Sequence, residues 1–312
     1  MVSYISINFY YKSSGRYLML DFRIKTFLAV CHSMNFTKAA KDLGLTQPAV
    51  SQHIHYLEAY YGVPLFHYEK KTLSLTDQGK ILYTSMNAMA NDEKRLQKQL
   101  IKNPDTYPLL SIGTTMTIGE YVIPGPLAQY IQDHPFLNLQ VRYGNTKDLL
   151  DLLDQGKISL ALIEGYYPKS IYGHKTYRQE EFICVAGRHF FKGKVPQRLE
   201  ELFSYPLLLR ERGSGTREIL DRHLKSQGYS LKNFPHFIEL ENMHTLVQVL
   251  AKGAGLSFVY RLAVEEGLKK GLLQEILLQD FSISHDFDFV WDQNSIYADQ
   301  ALTLARDLSR LG

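Results

Sequence analysis

Residues 36–58, FTKAAKDLGLTQPAVSQHIHYLE, decide how the front of the chain folds. The stretch reads as two short helices around a tight turn. Thr37 is placed to cap the first helix, with Ala39, Ala40 and Leu43 on its inner side. Gly44 and Leu45 break that helix and Thr46 caps the second. Pro48 falls in the first turn, where a missing N–H does no harm. Counted from Gln47 at about 100° per residue, Val50, Ile54 and Leu57 fall near roughly 300°, 340° and 280°, a narrow apolar stripe. Gln47, Ser51, His55 and Gln52 fall near roughly 0°, 40°, 80° and 140°, a face of uncharged hydrogen-bonding groups. A helix that only meets solvent usually carries Lys and Glu on that face. Amides and hydroxyls there suit base edges and phosphates in a major groove. The plainer alternative is a helical hairpin with a polar outside.

Working outward, residues 21–33 form a helix. Ile24, Phe27, Leu28 and Cys31 at i, i+3, i+4 and i+7 supply the third wall of a small helical core. Before it, residues 1–18 show no usable period. The globular pattern starts at Met19, so translation is expected to begin there, with the leader a start-site artefact or a loose arm. After the two helices comes GVPLF at 62–66. HYEKKTLSLT at 67–76 then reads as a two-stranded wing with Lys70 and Lys71 at its tip, within reach of phosphate or a minor groove. Thr76 and Asp77 open a helix that runs to about Lys102, with Asn103 and Pro104 as its stop. Its apolar side is Ile81, Leu82, Met86, Met89, Leu96 and Leu100. A dimerisation arm packing on its own copy and a helix packed on its own domain both fit that side.

From Leu109 the texture changes to strands alternating with helices. LLSIGTT, LNLQVRYG and ISLALIEG read as strands separated by helices, an order that implies a parallel sheet covered on both faces. EFICVAG, the start of LLLRERGSGTREILDRHLKSQG, LSFVY and DFDFVW read as further strands, and DQALTLARDLSRL as the closing helix. The expected organisation is an α/β multidomain protein. A winged helix-turn-helix domain occupies 19–76, a linker or dimerisation helix 77–104, and a two-lobed effector domain 105–312. Lobe I takes 108–181 and 284–312, and lobe II takes 182–283.

The composition agrees with this division. The net charge of +3 hides 13 Lys+Arg against 7 Asp+Glu in residues 1–104 and 22 against 25 in residues 105–312. A basic front on a mildly acidic body fits a front that meets nucleic acid. Cys31 and Cys184 form neither a metal-ligand spacing nor a disulfide framework and are expected to be buried small side chains. No run approaches the ~18 apolar residues of a membrane span, and no signal peptide is read, so the expected location is the cytoplasm. Enzyme motifs fare poorly. RGSG lacks the first glycine of a G-x-S-x-G elbow, KGAGLSF runs from helix to strand, and the 11 histidines form no H-E-x-x-H cluster.

FTKAAKDLGLTQPAVSQHIHYLE, GVPLF and LSLTDQG together resemble the winged helix-turn-helix of LysR-type transcriptional regulators. The C-terminal body resembles the same family's effector domain, so the likeness covers roughly residues 19 to 312. LSIGTTMTIGEYVIP, GNTKDLLDLLDQGKISLALIEG and LRERGSGTREIL are similar to the branch that holds regulators of carbon fixation and sulfur assimilation. The resemblance implies a dimer or homotetramer on interrupted inverted repeats of double-stranded promoter DNA. It also implies a small metabolite between two lobes of periplasmic-binding-protein type, and contact with RNA polymerase. It assigns Gln47, Pro48, Ser51 and Gln52 to bases and phosphates, Thr37 and Thr46 to phosphates, and Lys71 to the minor groove. Many members carry Arg where Gln52 and Tyr68 stand and a basic residue in place of His55, so phosphate affinity at the wing is expected to lean on Lys70 and Lys71.

No cofactor or metal is expected. Thr115, Met116 and Thr117 follow the first strand of the body and open a helix, where N–H groups and hydroxyls make an anion site. Gly213, Ser214, Gly215, Thr216 and Arg217 do the same from the other lobe, and Glu164 closes another strand. Helix capping alone also explains both loops. Facing one cleft, they predict a small anionic effector. The rival reading is a solute-binding protein with no DNA role.

Overall fold

A computed structural model describes residues 20–69, 72–100, 107 and 109–312. The expectations for the leader, for Lys70 and Lys71, and for the helix stop at Asn103 and Pro104 lie outside the described residues. The chain divides into two compact units, Met1–Glu93 and Lys94–Gly312.

In the first unit, α1 (Phe22–Ser33), α2 (Phe36–Leu43) and α3 (Gln47–Tyr61) precede a hairpin of β1 (Phe66–Glu69) and β2 (Thr72–Leu75). Phe27, Val30, Ala39, Val50, Ile54, Leu57 and Leu65 are buried together, so the stripe counted on α3 is the side that meets the core. The turn between α2 and α3 rests on Gly44, whose φ of 66° is the left-handed conformation that glycine adopts at least cost. The cap of α2 differs from expectation. Helix α2 begins at Phe36, so Asn35 is its cap, accepting from Lys38 N–H at 2.9 Å, and Thr37 sits exposed in the first turn. Glu58 Oε1 accepts from Leu65 N–H at 2.9 Å, and Thr76 donates its hydroxyl to the Pro64 carbonyl at 2.7 Å. The first bond fastens the hairpin to α3, and the second closes the hairpin's base.

Helix α4 (Asp77–Leu100) packs Leu82, Tyr83, Met86 and Ala90 on the first unit's core. Ile81, Met89 and Leu100 of the same helix are 69%, 51% and 76% exposed. At roughly 100° per residue they lie within an arc of roughly 100°, beside the packed side. The helix's last turns belong to the second unit. There the Arg95 guanidinium stacks 4.0 Å above the Tyr297 ring and donates to Gln300 Oε1.

The second unit runs β3 (Leu109–Thr114), α5 (Met116–Tyr121), α6 (Pro124–Asp133), β4 (Asn138–Tyr143), α7 (Thr146–Asp154), β5 (Leu160–Ile163) and β6 (Gly173–Gly187). It continues with β7 (Leu207–Leu209), α8 (Gly215–Ser226), β8 (Phe237–Glu239), α9 (Met243–Ala251), β9 (Leu256–Tyr260) and α10 (Arg261–Lys269). It closes with β10 (Leu273–Glu275), β11 (Ile283–Trp291) and α11 (Ala298–Arg310). The sheet order is β4-β3-β5-β11-β6-β9-β7-β8, with β10 beside β6. Strands β4, β3 and β5 are mutually parallel, as are β9, β7 and β8. Strands β6 and β11 join the two groups antiparallel. This is a two-lobed α/β body with paired crossing strands. The proline break falls where Val122 ends α5 and Pro124 opens α6.

The crossing strands carry a buried polar hub. Asp288 accepts from Tyr167 at 2.6 Å, Thr176 at 2.8 Å and Lys169 at 2.9 Å. Burial would raise this carboxyl, but the three donors outweigh it and hold it below its ordinary value.

Candidate functional site

The first unit exposes Thr37, Thr46, Gln47, Pro48, Gln52 and His55, with Ser51 half-buried among them. Thr46 caps α3 by accepting from Ala49 N–H, and Pro48 lies in its first turn. Gln47 Nε2 donates to Ser51 Oγ at 2.9 Å, one helical turn on, which fixes both side chains on the outer face. Gln47, Ser51, His55 and Gln52 share one arc of α3, beside the buried stripe of Val50, Ile54 and Leu57.

In the second unit the residues expected to face a ligand stand at strand ends, in a buried polar cluster. Thr115 follows β3, Glu164 follows β5, Arg210 follows β7, and Tyr260 is the last residue of β9. In parallel α/β lobes, ligands bind at these carboxyl ends. Glu164 is buried, and its Oε1 accepts from the hydroxyls of Thr117 on α5 and Thr216 on α8, each at 3.1 Å. The Glu164 carbonyl accepts from Thr146. A Cβ on Gly215 would stand 2.6 Å from that carbonyl and 2.9 Å from the Glu164 side chain, so only glycine permits this approach of α8. Burial pushes the Glu164 carboxyl up to about 7, against the opposing pull of the Thr117 bond, the Arg210 charge and the Thr216 bond.

The structure brings Thr115, Thr117, Glu164, Ser214, Gly215 and Thr216 together, all buried. The two threonine hydroxyls that the sequence offers to a ligand already serve Glu164. Arg217 lies one layer back, with Nη1 donating to the Arg210 carbonyl at 2.9 Å and to Glu239. Sequence reasoning missed Arg210 and Tyr260. The signal was present, because each ends an apolar strand, LLLR and LSFVY, as Glu164 does in LALIE. Arg210 is 4% exposed, and its Nε and Nη2 donate to Glu211 at 2.8 and 3.0 Å. Among the described residues, no group of three or more His, Cys, Asp or Glu is disposed to hold a metal ion. Cys31 and Cys184 are both buried, and burial raises both thiols.

A helix-turn-helix unit joined to a two-lobed α/β body with a polar cleft defines a ligand-responsive DNA-binding protein. Comparison with known proteins makes this specific. Residues 23–80 match the bacterial regulatory helix-turn-helix of the lysR family, and residues 108–308 match the LysR substrate binding domain. The chain belongs to the LysR family of transcriptional regulators. It is 30% identical over 254 residues to YeiE of Escherichia coli, an uncharacterized HTH-type transcriptional regulator, covering 81% of this chain and 85% of that protein. It is also 30% identical over 275 residues to the transcriptional regulator CysL of Bacillus subtilis, covering 86% and 89%. A probable RuBisCO transcriptional regulator of Trieres chinensis is 24% identical, covering 84% and 87%, so relatives on both sides of the expected branch are present. Full-length LysG of Corynebacterium glutamicum, solved with its effector arginine, shares the fold at a TM-score of 0.60 and 16% identity, covering 93% of this chain and 97% of that one.

Proposed function

We propose that this LysR-type regulator reads interrupted inverted repeats in promoters through α3, as a dimer or tetramer held by α4. The single observation behind this reading is the outer face of α3, where Gln47, Ser51, Gln52 and His55 share one arc while Val50, Ile54 and Leu57 are buried. Gln47 and Gln52 offer the paired donor and acceptor that suit adenine, and Thr37 and Thr46 suit phosphates. Lys70 and Lys71 complete the interface from the wing. Alanine at Lys71 is expected to weaken binding to most sequences and to flatten the salt dependence by about one unit of slope. An unchanged slope in a salt titration refutes that role.

The effector in this reading is a small acid held between the lobes by Thr115, Thr117, Glu164, Ser214, Gly215 and Thr216, and its binding alters polymerase recruitment in the cytoplasm. No helix among the described residues is long and apolar enough to cross a membrane. The decisive experiment incubates the protein from residue 19 onward with fragmented genomic DNA and sequences what is retained. Discrete fragments sharing an inverted repeat support the proposal; diffuse, salt-sensitive retention with and without candidate acids refutes operator recognition by α3.

A further inference from the structure

Four buried polar atoms at the strand ends of the cleft have no hydrogen-bond partner among the described residues: Thr115 Oγ1, Glu164 Oε2, Arg210 Nη1 and Tyr260 Oη. Their residues are 3%, 2%, 4% and 0% exposed, so solvent does not satisfy them. Thr115 and Glu164 follow the adjacent parallel strands β3 and β5, and Arg210 and Tyr260 stand at the ends of the adjacent parallel strands β7 and β9. Arg210 acts electrostatically on Glu164, and Glu164 on Tyr260. Such groups are costly to leave alone, and their chemistry limits what can satisfy them. Arg210 Nη1 only donates. Above about pH 7, where Glu164 is ionised, its Oε2 only accepts, while the two hydroxyls do either. The site is also poor in spare positive charge. Arg210 already holds Glu211 with two bonds, Glu120 stands close enough to feel Arg210, and Arg217 is engaged by Glu239. A bare anion would gain one guanidinium N–H and meet a carboxylate beside it.

We infer that the cleft takes a small acid carrying its own hydrogen-bond donor beside its anionic oxygens, the oxygens meeting Arg210 and the donor meeting Glu164. Hydroxy acids, amino acids and oxyanions that keep a proton share this chemistry, and fully deprotonated, donor-free anions lack it. The inference rests on reading the cleft as the effector site and narrows the class of effector. It also assigns Arg210 and Tyr260 to the binding surface.

The test uses the full chain at pH 8.5, where Glu164 is ionised, with matched pairs of probes at equal ionic strength: glycolate against acetate, glycine against acetate, and phosphate, which keeps a proton, against sulfate, which does not. Thermal shift and titration calorimetry report binding. The expected result is at least one donor-bearing probe bound roughly tenfold more tightly than its donor-free match. Which pair shows it separates the three sources. Glu164→Gln keeps an acceptor for Thr117 and Thr216 and adds an amide donor. It is expected to cut the preference to about twofold or less by improving the donor-free probe, a gain that misfolding cannot mimic. Arg210→Gln is expected to lose both probes of the pair. Equal or tighter binding of the donor-free probes by the natural chain overturns the inference and leaves the cleft as effector site. No binding of any probe to either protein overturns it as well. Binding unchanged in both variants places the ligand elsewhere and overturns the cleft reading itself.

Discussion

Burial holds the Glu164 carboxyl near 7 against an ordinary value of 4.5, and that difference has a sign. Between those two values the folded protein keeps a proton that the unfolded chain releases. Stability from this group is therefore full below the lower value and falls as pH rises through the upper one. Over that window the natural chain is expected to lose on the order of 3 kcal/mol that Glu164→Gln does not lose. Urea midpoints of the two proteins measured across pH check it; parallel curves refute it. A second residue-scale expectation separates two neighbours. Asn35→Ala removes the α2 cap and is expected to cost about 1 kcal/mol of stability. Thr37→Ala, at an exposed first-turn position, is expected to leave stability within about 0.5 kcal/mol and lower DNA affinity instead. Denaturation and operator binding of both variants decide between these roles.

At the scale of elements, legibility followed the number of apolar faces. Helix α3 was readable because one stripe is buried and the other face is polar, so period and chemistry agree. Strand β5 was readable because all four of its residues are buried. Strand β6 was legible only in its second half. EFICVA is mostly buried and apolar, but the preceding GHKTYRQE crosses between lobes with charged and aromatic side chains and shows no run to read. Helix α10 escaped notice because only Ala263 and Val264 of it are buried. Helix α4 holds the element-scale prediction. Its exposed Ile81, Met89 and Leu100 are proposed to meet a second copy. Met89→Glu is therefore expected to shift the protein toward monomer in sedimentation and weaken operator binding by roughly tenfold or more. A variant that sediments like the natural chain ends that proposal.

For the whole molecule, two compact units predict two separable unfolding events. A ligand of the strand-end site, at about 100 times its dissociation constant, is expected to add about 2.7 kcal/mol to the unfolding of the second unit and almost nothing to that of the first. Calorimetry with and without the ligand checks this, and an equal rise in both events refutes it. The crossing strands matter at this scale too. Asp288 binds side chains from the loop after β5 and from β6, so the chain's passage between lobes is polar and directional rather than a greasy hinge.

The Oε1 atom of Glu164 accepts hydroxyls from helices that follow two different parallel strand groups. The two strand groups are thus tied twice, by the crossing strands β6 and β11 and by one buried atom. A proton, or a ligand no larger than a few atoms, that takes over one of those hydroxyls acts on the tie that the strands do not supply.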